Sequence, residues 1–153
     1  MNIFILDKIP SKNAEYHVDK HVVKMILEHA QLLSTASRYA GLEQGYNITH
    51  LNHPCNKWAR ESIDNWCYLY RLTEALHTEW QYRYKHIKEH KSWSIVKNFK
   101  KPNLPEKGLT QFAMAMPDKY KSDDIVESYR NYYINEKRHI ASWKNRDIPY
   151  WWK

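Results

Sequence analysis

The chain has 153 residues, 27% of them charged and 42% hydrophobic, a composition that suits one ordinary globular domain around one core. Lys and Arg number 24 against 17 Asp and Glu, and this surplus points to a polyanionic partner. With 3 Gly in all, Gly-rich phosphate loops and tight turns are disfavoured and helices favoured, while 7 Trp and 12 Tyr supply rings that suit half-wet surfaces and base stacking.

Asn2-Ile3-Phe4-Ile5-Leu6 is an apolar run closed by Asp7 and Pro10. No second convincing strand exists to pair with it, so an extended segment packed on helices is expected. The run is too short for a signal peptide and lacks a basic flank. No stretch approaches the ~20 apolar residues of a membrane span, so no membrane partner is expected. Ser11 or Asn13 is expected to cap a first helix that runs to Tyr39-Ala40 and stops at Gly41. Val18, Val22, Met25, Ile26, His29, Leu32, Leu33 and Ala36 recur at helical steps and form its apolar stripe. A second row lies beside it: His17, His21, Lys24 and Glu28, at steps of four, three and four.

Leu42 to Pro54 reads as a loop, and its His50, Asn52 and His53 stand just before the next helix, where a helix N-terminus can bind phosphate. That second helix is expected from Pro54–Lys57 to Lys88, long enough to admit a kink or break near Ala75–Glu79. Ser92 to Val96 suggests a helical turn, and Lys97 to Glu106, with Lys100 and Lys101, a cationic loop. Thr110 to Tyr120 is irregular. Ser122, Asp123 and Asp124 place acids at the start of a third helix running to Asn145. The tail from Arg146 to Lys153 is aromatic and extended. The expected fold is all-α (mainly α): a compact single domain over 1–153, of about three main helices with an extended N-terminal segment and an aromatic C-terminal tail.

The polar row is the first candidate site. A carboxylate beside cationic groups at a cleft can act as a base or stabilise a developing cation. The plainer alternative is a salt-bridged helix flank, with Lys24 and Glu28 as an i, i+4 pair. His17 and His21, completed by His50, His53 or Asp19, are an alternative zinc set. However, no His-Glu-x-x-His and no Cys–His pair is present, and no metal or cofactor is expected. Cys55 and Cys67 lack zinc spacing and are expected as free thiols in a reducing cytosol. Nucleic-acid contacts are expected from His17, Lys20, Lys24, His50, Asn52, His53, Arg60, Lys100, Lys101, Arg130, Arg146 and Trp151. Cations and rings interleave through Tyr129-Arg130-Asn131-Tyr132-Tyr133 and Tyr150-Trp151-Trp152-Lys153.

The run Asp19-Lys20-His21-Val22-Val23, with Glu28 seven residues after His21, resembles the first helix of the phage endonuclease V-type pyrimidine-dimer DNA glycosylases. That family carries an essential glutamate at the same spacing. The His-containing loop and aromatic helix from His53 to Arg83, and the Pro117 to Trp152 segment, are similar to later parts of the same family. The Met1–Leu6 and Asp19–Met25 runs also resemble small phage proteins. The resemblance implies a DNA glycosylase with AP lyase activity acting on damaged or modified duplex DNA as a monomer. It also implies a host-cytoplasmic location if the chain is phage-encoded. Its nucleophile would be an N-terminal α-amine, a group whose reference pKa of about 7.7–8 leaves a fair neutral fraction at pH 7. Met1 is then the default amine, Lys20 and Lys24 are fallbacks, Glu28 is the carboxylate, and His21 completes the site. The family usually has Thr after a removed Met, whereas residue 2 here is Asn, whose bulk keeps Met1 in place. Leu27 stands where the family has Arg before its glutamate. The alternatives are a non-catalytic nucleic-acid-binding or host-interaction protein and a His-based metal-dependent nuclease.

Overall fold

The computed structural model describes all residues from Met1 to Lys153. It contains six α-helices and no strand: α1 (Pro10–Tyr16), α2 (Asp19–Tyr39), α3 (Pro54–Glu61), α4 (Ile63–Tyr84), α5 (Lys91–Val96) and α6 (Ile125–Glu136). Two single 3-10 turns, Asp118–Tyr120 and Arg138–Ile140, flank α6. The all-helical expectation therefore holds, with each of the first two expected helices divided in two.

The apolar stripe of α2 explains the packing. Val22, Met25, Ile26, His29, Leu32, Leu33 and Ala36 are all buried. α4 lies along α2 and α1, and α3 and α5 close on α2. Trp66, Leu69, Leu72, Leu76 and Trp80 give α4 its buried face. Ile3, Phe4, Ile5 and Leu6 fill the same core as an extended segment, as expected.

The first break falls at His17-Val18, whose backbone turns extended (ψ 138° and 155°) between α1 and α2. Its cause is Arg83 of α4, a fully buried arginine. Arg83 Nη1 donates to the His17 carbonyl (2.7 Å) and to Asp19 Oδ1 (3.0 Å), and Nη2 donates to the Glu15 carbonyl (2.8 Å). These are the carbonyls a helix C-terminus leaves without intrahelical partners. Its Nε donates to Glu79 Oε2 at 2.7 Å, and Arg146 adds two further bonds to the same carboxylate. Burial alone would raise the Glu79 carboxyl, but the hydrogen bonds from Arg146 and Arg83 outweigh it and hold it below its ordinary value. Asn13 does not cap a helix. Its amide is buried and ties the N-terminal run to α1, accepting from Leu6 N (3.0 Å) and donating to the Phe4 carbonyl (2.9 Å). The residue preceding α1 is Ile9, with no side-chain cap.

The second break comes at Ser62, not near Ala75–Glu79. Ser62 is extended (φ −152°), caps Asp64 N through its hydroxyl at 3.1 Å, and donates to the Gly108 carbonyl at 2.5 Å. α4 then runs unbroken to Tyr84, where Lys85 adopts the left-handed conformation. α6 is capped by Asp124, as its acids predicted, but stops at Glu136 rather than reaching Asn145. Beyond it, Trp143 Nε1 donates to the Tyr16 carbonyl (2.9 Å) and Asn145 to the Arg83 carbonyl (3.0 Å). The tail is therefore pulled onto α1 and α4 instead of continuing a helix.

Replacing Arg83 by Ala strips partners from buried carbonyls and from two carboxylates. It is expected to destabilise the fold by about 3–5 kcal/mol. Urea unfolding of Arg83→Ala checks this, and a loss under about 1 kcal/mol would show that the Arg83 bonds do not hold the fold together.

Candidate active site

The N-terminus is held by side chains rather than by a ladder. Asn2 is buried; its Oδ1 accepts from Ile3 N (2.8 Å) and its Nδ2 donates to the Ala115 carbonyl (2.9 Å). The Tyr129 hydroxyl lies 2.9 Å from Asn2 Oδ1 and accepts from Ala115 N. Phe4 is fixed by stacking on His21, with centroids 4.6 Å apart and planes 12° from parallel. With the segment pinned this way, the Met1 side chain is buried and its amine stands 3.4 Å from Glu28 Oε1. Lys24, one turn earlier on α2, places its ammonium 3.6 Å from the other carboxylate oxygen.

These groups line a cleft of about 530 Å³. Met1, Asn2 and Phe4 contribute from the N-terminal run, His21, Lys24 and Glu28 from α2, and His53 from the start of α3. The facing wall comes from Met114 to Pro117, Tyr132 and Lys137. The Lys137 ammonium sits 5.2 Å from the Tyr132 ring and 5.9 Å from the Phe4 ring.

Both histidines in the cleft are neutral donors rather than cations. His21 is pushed down to about 3, first by burial and then by His17, Lys137 and Lys24. The Tyr133 hydroxyl accepts from Val18 N and lies 2.6 Å from His21 Nδ1. Its own proton has that nitrogen as its acceptor, so the His21 proton resides on Nε2, which has no protein partner. His53 Nδ1 accepts from Cys55 N at 3.0 Å, which leaves its N–H likewise on Nε2. Burial, the Met1 amine and His50 lower His53, against an opposing pull from Glu28.

The structure thus gathers Met1, His21, Lys24, Glu28 and His53 in one place. His17 is not among them. The helix break turns it into the core, fully buried, with Nδ1 on the Asn13 carbonyl at 2.8 Å. It has no surface with which to meet nucleic acid. His17 and His21 also do not form a metal pair, and no group of three or more His, Cys, Asp or Glu side chains converges. Asp19 serves Arg83, the Ser142 hydroxyl and Lys144 N instead. Trp151 is buried against Tyr16 and Tyr133, so it is no exposed stacking ring. Arg130 donates to the Leu6 carbonyl and to the Tyr150 hydroxyl, and Arg146 is held by Glu79 and Glu15; both brace the tail and neither lines the cleft. Lys20, His50, Asn52, Lys100 and Lys101 are exposed outside the cleft, and Arg60 is half-buried at the far end of α3. Both cysteines are free, and burial pushes the Cys55 thiol up to about 12.

Asn2, Phe4 and Lys137 were not foreseen as site residues, and Tyr133, part of the run of interleaved rings and cations, orients His21 from behind the cleft instead of stacking on a base. The site and fold together define an all-helical protein with an amine–carboxylate pair in a cation-lined cleft. Residues 1–92 match the family model described as pyrimidine dimer DNA glycosylase, which is more than half of the chain. The chain belongs to that family, and its function is DNA-glycosylase-like with DNA as substrate. No curated protein and no solved structure matches it. No helix is long and apolar enough to cross a membrane.

Three buried histidines set an acid limit. Burial lowers His17 to about 4, and His21 and His29 to about 3, from an ordinary value of 6.5. The folded protein leaves them neutral while the unfolded chain protonates them below 6.5. Stability is therefore full above that value and falls as the pH drops towards 4. The slope is about 1.4 kcal/mol per pH unit for each group, so up to ~4 for all three. Urea midpoints from pH 7.5 to 4.5 should show this fall, less steep in His29→Leu. A flat profile would contradict the neutral assignments.

Proposed function

We propose that the protein is a DNA glycosylase with an associated lyase step, acting on a damaged or modified base in duplex DNA through the amine at Met1. The observation that carries this reading is the 3.4 Å contact between Met1 N and Glu28 Oε1 inside the cleft. A neutral α-amine attacks sugar C1′ of the target nucleotide. The C1′–N bond breaks, and the base leaves with the bonding electrons and takes up a proton. Glu28 faces the positive charge developing on the sugar and accepts the proton that the attacking amine sheds. That proton passes to O4′ as the C1′–O4′ bond opens, leaving an imine between Met1 N and C1′. Loss of a C2′ proton then expels the 3′ phosphate by β-elimination. Every step is a proton or electron-pair transfer between the DNA, the amine, the carboxylate and water.

The surrounding groups fit these roles. His21 and His53 offer Nε2–H donors to sugar or phosphate oxygens without adding charge. Lys24 is largely exposed and reaches from Glu28 towards solvent, where a phosphate would lie. Lys20, His50, Asn52, Lys100 and Lys101 supply further backbone contacts. The cleft volume, about 530 Å³, is in the range of pockets that take a nucleotide-sized group extruded from a duplex. One chain supplies every lining residue, and the protein is proposed to act as a monomer.

Borohydride reduction during incubation with abasic or ultraviolet-irradiated duplex should yield a covalent adduct, mapped by mass spectrometry to Met1. No adduct and no base release from any damaged duplex would refute the glycosylase reading. An adduct on Lys20 or Lys24 would move the nucleophile.

Glu28→Gln is expected to lower turnover by about 10²–10³-fold while leaving duplex affinity within about twofold. Turnover that survives this change would remove Glu28 from the chemistry.

A further inference from the structure

α3 joins the cleft to a second groove. His53 and Pro54 line the cleft at its start, and Lys57, Arg60 and Glu61 line a groove of about 440 Å³ at its end. Residues 53, 57 and 60 follow steps of four and three, so they share one face of the helix. Eight residues of helix span about 12 Å. At 3.4 Å per base pair that is about three to four pairs of duplex.

The groove carries unpaired cations on a rigid frame. Arg60 Nη1 donates to the Leu51 carbonyl at 2.7 Å, and its guanidinium lies 4.4 Å from the Tyr39 ring centroid. No carboxylate pairs with it, and its remaining donors are free in a planar fork suited to phosphate. Tyr39 is itself 59% exposed, so this stacked pair forms an open platform and not a core contact. Lys57 and Lys107 are exposed and make no ion pair; Glu61 is the one carboxylate on the lining. The segment bearing Lys107 is fastened to the α3–α4 junction by Ile63 N to the Pro105 carbonyl (2.9 Å) and by Ser62 to the Gly108 carbonyl.

We propose that the duplex flanking the reacting nucleotide runs along α3 and seats its backbone phosphates on Lys57, Arg60 and Lys107, about three to four base pairs from the cleft. The register rests on the reading of the cleft given under Proposed function. The contact itself rests on the charge and geometry of α3. Phosphate recognition here is independent of base identity. It is a second anchor for DNA whose reacting nucleotide sits at Glu28.

The test is fluorescence anisotropy with duplexes carrying a non-cleavable abasic analogue and flanks of about two or about ten base pairs, on either side in turn. The double variant Lys57→Ala/Arg60→Ala should bind the long-flank duplex about tenfold or more weakly. It should match wild type when the flank on one side is cut short. Its log affinity against log salt should flatten by about two, one for each lost phosphate contact. Lys107→Ala, on a separate segment, should reproduce a smaller flank-dependent loss and guards against misfolding of α3. Wild-type affinity in both variants, or a loss that ignores flank length, would overturn the proposal. Undamaged duplex run in parallel separates this from the cleft reading. Failure of wild type to prefer the abasic duplex counts against the amine–carboxylate centre, whereas the change in salt slope on either duplex reads the α3 contact alone.

Discussion

A single buried guanidinium sets the geometry on which the site depends. Arg83 has no exposure, so each of its donors must find an acceptor within the fold. It finds them at the end of α1, at Asp19 opening α2, and at Glu79 one turn back on α4. Satisfying α1's terminal carbonyls there lets α1 end at Tyr16. Asp19 then restarts the helix with an acid in its first turn, where a negative charge is favoured. The same Asp19 accepts from Ser142 and Lys144, and Glu79 accepts from Arg146. Four parts of the chain therefore meet at one charged cluster, and the direction of α2 is fixed relative to α4 and the tail.

That direction decides which side chains reach the cleft. Starting α2 at Asp19 turns His21, Lys24 and Glu28 to one side and leaves His17 inside. The core accepts the consequence at a price in polar groups: His17 Nε2 and both ring nitrogens of His29 are buried with no protein partner. Neutral imidazole tolerates this far better than imidazolium does, which is why burial holds both rings well below their ordinary value. His21 is treated differently. Tyr133 occupies one nitrogen and the other faces the cleft, so its proton position is set by a fully buried residue outside the cleft lining.

Much of this was legible in the chain. The stripe from Val22 to Ala36 is buried almost residue for residue, and the spacing of His21, Lys24 and Glu28 marked the face they share. The breaks were not legible, because apolar period continues through both of them. Val18 and Ile63 fit a helical stripe whether or not the backbone between neighbours is helical. What divides the helices is long-range: Arg83 acting 66 residues from His17, and Gly108 accepting from Ser62 46 residues away. Asn13 misled for a related reason. Its amide suits a cap locally, but burial beside Leu6 and Phe4 gave it backbone partners across a turn. The meeting of Met1 with Glu28 had no local signal at all, since it depends on how an extended segment is anchored.

That anchoring crosses the boundary of the family match. The amine, Glu28, His21, Lys24 and His53 all lie within residues 1–92. Yet Asn2 is held by Ala115 and approached by the Tyr129 hydroxyl, and His21 is oriented by Tyr133. The candidate groups of the cleft are thus supplied by one part of the chain and positioned by the other. A chain cut after residue 92 would keep every candidate for the chemistry while losing the acceptor for the Asn2 amide and the proton donor to His21. The geometry at Glu28 is therefore a property of the whole fold, and Met114 to Pro117, Tyr132 and Lys137 shape the cleft from the same part of the chain that holds the amine in place.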